Sequence, residues 1–355
     1  MTDYLPESFW RTTSLNLERL LKRRNDIYGF LAIWIVVFHC YRNIGMSYIP
    51  GLTHFVSLGN ISVDIFFFLS GLCLTLSCKK QSNPNWKKFF KRRFQRILIP
   101  YLIISIPYYA WNALVEHSGS ILKKTAVFLA NVSTLSWWIN GSATTWYVSA
   151  IILFYLLFPV LYLHIRQSIR KSIIILLAAF AFAIISAYIP VINKCILTWA
   201  RLPIYITGII IGVYIDDIMS FLNDNIHKRR VIFCAIICII VLVCGLTINE
   251  VNSLGPKIKK VWRYILYYPI TISIIVLLST IPNFIHKSLF SYIGSLSLEI
   301  YLIHITILHP MKFYGWIDYL GTSLYFILPI IAIAISIIIN LISRKINALI
   351  SKNAY

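Results

Sequence analysis

The chain is predicted to be all-α, a polytopic transmembrane helical bundle of about ten helices with both termini in the cytoplasm. Three observations predict this. Of its 355 residues, 59% are hydrophobic and only 13% charged, and the mean hydropathy is +0.76. The apolar residues come as repeated long runs rather than periodic stripes, and each run of roughly 17–25 residues is long enough to cross a hydrocarbon core. Lysine and arginine gather in alternate loops, the pattern of cytoplasmic loops facing anionic lipid.

The elements follow in order. Residues 1–26 form a polar, basic cytoplasmic leader, with Ser14 to Arg24 suited to a surface helix. The leader lacks the short apolar core and small-residue cleavage site of a signal peptide. Residues 27–343 form the transmembrane domain, with spans expected near 27–44, 61–78, 97–115, 146–164, 172–190, 202–217, 231–248, 263–281, 290–309 and 322–343. Thr125 to Ile139 is apolar but short, and is expected as a half-buried outer segment. Residues 344–355 are a short cytoplasmic tail. The leader, the loop from Lys79 to Arg96, Arg166 to Lys171, Lys228 to Arg230 and the tail carry most of the 33 basic residues. A discordant cluster, Lys257, Lys259, Lys260 and Arg263, lies on the other face.

The net charge of +21 would suggest nucleic acid in a soluble protein. Here lipid-facing basic loops account for it, and no nucleic-acid partner is expected. The seven cysteines fall mostly inside apolar runs and read as small hydrophobes rather than disulfides or metal ligands. No zinc, P-loop or nucleotide-fold signature is present.

The chain is organised around the run Asp26 to Arg42, which has no ionisable residue between Ile27 and His39. An imidazole late in a membrane span costs energy without a partner or a task. His39 suits a general base on a hydroxyl or a transient acyl carrier; it suits equally a histidine satisfied by a backbone carbonyl or at the outer interface. The following run carries Asp64 near its start. If the two runs are consecutive antiparallel spans, His39 and Asp64 lie at one depth. There Asp64 would hold the imidazole in one tautomer, or simply cap its own helix with Ser62.

Arg92 and Arg96 fall four apart, on one helix face with Arg93 beside them, just ahead of a span. They could grip phosphates bidentately or serve as ordinary positive-inside anchors. Glu299 and His304, five apart in the span 290–309, are candidates for substrate binding, or for an interhelical hydrogen bond. Trp146 and Tyr147, at a span start, suit substrate contact or interfacial anchoring. His54, His117, His164, His227, His286 and His309 fall at loops or span edges and take no assigned role. Asp216 and Asp217 read as solvated, and Gly29, Gly71 and Gly294 as packing positions.

Five stretches together resemble the integral-membrane acyltransferase family three, whose members O-acylate bacterial cell-surface sugars. They are Phe30–His39, Val63–Gly71, Phe90–Tyr101, Trp146-Tyr-Val-Ser with Tyr155 and Pro159, and Ser297–His304. The resemblance runs from about Ile27 to Asn340. It implies about ten helices, an acyl donor that is usually acetyl-CoA, and a first-helix histidine at the centre of catalysis, which matches His39. The family commonly carries an arginine eleven positions before that histidine, where this chain has Tyr28. Arg23 and Arg24 precede that position, and Arg42 follows His39 by one turn.

The expected activity is therefore that of an O-acyltransferase in the bacterial cytoplasmic (inner) membrane. It would move an acetyl group from cytosolic acetyl-CoA, a substrate rather than a bound cofactor, to a sugar hydroxyl. The acceptor would be a surface polysaccharide or its lipid-linked oligosaccharide precursor. His39 and Asp64 would act in catalysis, Arg92, Arg93 and Arg96 on the coenzyme A phosphates, and no metal is called for. The competing class is a proton-coupled transporter or flippase of a polysaccharide precursor, since a buried His, Asp and Glu suit proton relays. No repeat between halves and no paired broken helices mark an alternating-access site.

Overall fold

A computed structural model of the chain describes residues 17–49, 51–81, 83–141, 144, 146–223, 232, 236, 267–278 and 287–352. Among them there is no strand. The main helices are α1 (Arg24–Ile44), α2 (Ile61–Lys79), α3 (Trp86–Trp111), α4 (Ile121–Val132), α5 (Leu135–Asn140), α6 (Trp146–Ile165), α7 (Ile169–Ser186) and α8 (Leu202–Val213). They continue with α9 (Tyr267–Leu278), α10 (Lys287–Ser295), α11 (Ser297–Phe313) and α12 (Leu324–Lys352). Seven described helical segments are long and apolar enough to cross a membrane, or eight if the bent pair α10–α11 is one span. The expected span 231–248 lies outside the described residues except for 232 and 236, as do the ends of 263–281, most of the leader and the Lys257–Arg263 cluster.

Local sequence accounts for several boundaries. Asn85, Ser120 and Ser168 cap α3, α4 and α7, each accepting from the backbone N–H three residues on. Pro100 and Pro107 lie inside α3 and each withdraws one N–H from its hydrogen-bond ladder. Beyond Trp111 the helix widens into a π turn, Asn112–Glu116. Such turns cost hydrogen-bond geometry and are found mostly where a side chain must be re-aimed. The segment expected as half-buried and short is two helices, α4 and α5, joined at Thr134 with a positive φ of 66°.

The chain divides into two units. The first comprises residues 1–27, 63–82 and 158–291. In it α2 and α8 approach backbone to backbone through glycines. A Cβ on Gly71 would come 2.4 Å from the Tyr205 carbonyl oxygen, and one on Gly208 would come 2.2 Å from that of Phe68. Only a residue without a side chain fits, which makes Gly71 a packing position. Lys79 extends from the end of α2 to Asp216 at 2.6 Å.

The second unit comprises residues 28–62, 83–157 and 292–355. Its core joins α1, α11 and α12: Ala32, Val36 and Cys40 pack with Ile300, Leu308, Leu324, Leu328 and Ala332. Cys40 donates to the Leu324 carbonyl at 3.6 Å. Small residues at 32, 36 and 40, spaced by one turn, let α1 lie close to its neighbours. That close packing brings the polar residues of α1 and α11 into contact.

Candidate active site

His39 lies one residue before Cys40, at the edge of the stripe that packs into the core of the second unit. Its half-buried ring stands against that of His304, with centroids 5.1 Å apart and planes inclined by 52°. Phe38 meets the same imidazole edge-on at 5.2 Å, and Asn43 donates to the His39 carbonyl at 2.8 Å. His304 is fully buried. Its Nδ1 is 2.9 Å from the Ile300 carbonyl oxygen one turn earlier. A carbonyl only accepts, so Nδ1 carries the hydrogen and Nε2 keeps its lone pair. That Nε2 is buried without a hydrogen-bond partner among the described residues. A basic nitrogen left unsatisfied inside a membrane helix is costly.

A line of rings continues from this pair. Tyr301 meets His304 at 5.7 Å, Tyr147 meets Tyr301 at 4.8 Å, and Trp146 bridges Tyr147 and Trp137 at 6.4 and 5.9 Å. Four residues singled out in the sequence, His39, His304, Tyr147 and Trp146, are therefore brought into one continuous row. Tyr301 was not singled out, although it lies inside the Ser297–His304 stretch.

Glu299, on α11 and 0% exposed, is held by two groups from other helices of the unit. Asn340 donates to its Oε1 at 2.9 Å, and Arg96 stands 3.6 Å from the same oxygen. Arg96 also donates to the Ser295 carbonyl at 3.1 Å, where the chain breaks between α10 and α11. The break frees that carbonyl from the helical ladder. Of the three arginines, Arg96 is thus engaged within the chain, Arg93 lies over the Phe89 ring at 5.8 Å, and Arg92 is exposed.

Asp64 belongs to the first unit, where Arg201 stands 3.3 Å from its Oδ2. The side chains are 8% and 2% exposed, and Arg201 also donates to the Leu197 carbonyl at 3.2 Å. The expected partners His39 and Asp64 thus fall in different units; within its own unit His39 meets His304 and Asp64 meets Arg201. Arg201 was missed because a lone arginine at a span edge looks like an interfacial residue. Among the described residues, no group of histidine, cysteine and carboxylates could hold a metal ion.

Residues 29–341 match the family model of the acyltransferase domain. The chain belongs to this acyltransferase family. The match begins at Gly29, directly after Tyr28, and it takes in His39, Asp64, the arginines of α3, the aromatic row and the Glu299–His304 stretch. No curated protein and no solved structure matches the chain. The protein is a multi-pass membrane acyltransferase.

Proposed function

We propose that this acyltransferase moves an acetyl group from cytosolic acetyl-CoA to a sugar hydroxyl of a bacterial surface polysaccharide or its lipid-linked precursor. The observation that carries this reading is the His39–His304 pair, two imidazoles packed together within a chain of the acyltransferase family. His39 takes the proton from the acceptor hydroxyl as its oxygen attacks the thioester carbonyl. Collapse of the tetrahedral adduct breaks the carbon–sulfur bond, and the departing thiolate receives the proton from the imidazolium. His304 positions His39 by ring contact at 5.1 Å, and its own orientation is held by the Ile300 carbonyl at Nδ1.

Arg92 and Arg93 offer their guanidinium groups to the coenzyme A phosphates at the start of α3. Arg96, held by Glu299, anchors that array to the helix break. Asp64 enters through Arg201: the buried ion pair fixes the start of α2 beside α8. Tyr147 and Trp146 supply ring faces for the acceptor near the imidazoles. The arrangement suits a bacterial cytoplasmic membrane, with the donor reached at one end of α3 and the acceptor at the other.

The test is incubation of membranes bearing the protein with acetyl-labelled coenzyme A and the host's glycan precursors. Label is expected in a base-labile sugar ester and absent with His39→Ala present in the membrane at wild-type level. Full labelling by that variant would remove His39 from the mechanism. No labelled glycan from the folded wild-type protein would favour transport of the precursor instead.

A further inference from the structure

A cavity of about 370 Å³ lies in the second unit at the end of α3, lined by Tyr108, Asn112, Ser136, Asn140, Thr144 and His309 among others. The sequence reading gave none of these residues a role. We propose that this cavity binds one saccharide unit of the acceptor glycan, an inference that rests on the sugar-acetyl reading above and locates its acceptor.

Its polar groups are organised in one connected row. Glu116 Oε1 stands 3.3 Å from His309 Nε2. Tyr108 Oη is in hydrogen-bond contact with His309 Nδ1 at 2.8 Å and with the Thr144 hydroxyl at 3.1 Å. The row runs from Thr144 through Tyr108 and His309 to Glu116. Asn112 donates to the other Glu116 oxygen from within the π turn, where the wider winding sets both residues towards His309. Trp111 stands edge-on to the His309 ring at 5.9 Å.

Two features indicate a ligand and its class. Ser136 is among the residues lining the cavity and is 4% exposed, and its buried hydroxyl has no hydrogen-bond partner among the described residues. A buried hydroxyl without a partner costs about 1–3 kcal/mol, a cost relieved by a ligand that brings its own hydrogen-bonding groups. The lining contains amides, hydroxyls, two imidazoles (His117 and His309) and aromatic rings but no lysine or arginine, and a carboxylate stands just behind it. Such walls offer a phosphate no lysine or arginine and so disfavour the donor. They match a neutral polyol, whose hydroxyls each donate and accept and whose C–H face rests on rings.

The position agrees with the chemistry. His309 follows His304 on α11 by five residues, about 7.5 Å along the axis. Arg92 and Arg93 lie at the opposite end of α3, about 22–24 Å from Tyr108 along its axis. A saccharide in this cavity lies about one and a half turns of α11 beyond His304 and far from the groups offered to the coenzyme A phosphates.

The experiment uses full-length His39→Ala protein in detergent, which binds without turning over. The probes are tritiated N-acetylglucosamine, galactose and rhamnose, with tritiated coenzyme A as control. Saturable binding of at least one sugar is expected. It should weaken at least tenfold in Ser136→Leu and in Val127→Phe, which fill the cavity from two walls, with coenzyme A binding unchanged in both. Unchanged sugar affinity in a variant that keeps coenzyme A binding, or no sugar binding by the parent, overturns the proposal. Labelled glycan formed by wild-type membranes is scored separately. Transfer with cavity-insensitive acceptor binding sinks the cavity but leaves the acetyltransferase; cavity-dependent sugar binding without transfer does the reverse.

Discussion

Replacing Arg96 with alanine should destabilise the protein far more than replacing Glu299 with glutamine, although both changes break one ion pair. The asymmetry follows from burial: the Arg96 side chain is 52% exposed and that of Glu299 is 0%. At the 3.6 Å separation, an effective dielectric of about 20 gives an attraction near 5 kcal/mol. The half-exposed guanidinium screens this to roughly 2–3 kcal/mol. Arg96→Ala forfeits that attraction and strands a buried carboxylate, with only the Asn340 amide left to it, so a loss of about 3 kcal/mol is expected. Glu299→Gln removes the buried charge together with its partner's attraction and keeps an oxygen for Asn340. Its cost should stay within about 1 kcal/mol. The double variant should recover most of the Arg96→Ala loss. The assay is equilibrium unfolding by SDS titration in non-ionic micelles, followed by thiol-dye labelling of the buried Cys40 and Cys78. Additive losses in the double variant would show that the carboxylate does not depend on Arg96 and would refute this reasoning.

Three further outcomes are expected. Gly208→Ala, whose Cβ would meet a backbone oxygen at 2.2 Å, should cost about 3 kcal/mol or more. Gly315→Ala, at φ +74° in open space, should cost only about 1–2 kcal/mol; comparable losses in the same SDS titration would contradict the close approach of α2 and α8. Lys79→Ala removes an ion pair whose side chains are 39% and 81% exposed, so unfolding should shift by less than about 1 kcal/mol. His304→Ala should lower kcat for acetyl transfer at least a hundredfold while KM for acetyl-CoA stays within about threefold. A variant whose KM for acetyl-CoA rises with kcat intact would place His304 at the donor rather than beside His39.

Much of the fold could be read from the sequence because membrane spans announce themselves by length and lack of charge. α1, α2, α3, α6, α7 and α12 lie where apolar runs of sufficient length were found. α8 is shorter than its run because the chain turns at Tyr214 before Asp216 and Asp217. The bend between α10 and α11 was not legible, since Gly294 and Ser295 occur in many straight membrane helices. Of the site, His39 and His304 were visible as ionisable groups in apolar surroundings. Their contact was not, because it depends on how α1 and α11 rotate against one another, which small residues at 32, 36 and 40 set only in three dimensions. Partners such as Arg201 and Asn340 were hidden for a related reason: a polar residue near a span edge has the same sequence appearance whether it faces lipid headgroups or a buried carboxylate. His309 was set aside on that ground, and only the π turn after Trp111 reveals what it faces.

The bend between α10 and α11 also fits this part of the chain to its surroundings. The two helices comprise 9 and 17 residues, about 13 Å and 25 Å of helix. Joined straight they would reach roughly 39 Å, well beyond the ~30 Å of a hydrocarbon core. Turned through 73°, the shorter arm adds only about 4 Å along the axis of the longer, and the total returns to about 29 Å. An element too long for a bilayer must tilt or distort the lipid around it. Folding over at Leu296 relieves that mismatch locally, so α11 can keep the rotation that holds His304 against His39 without tilting to fit.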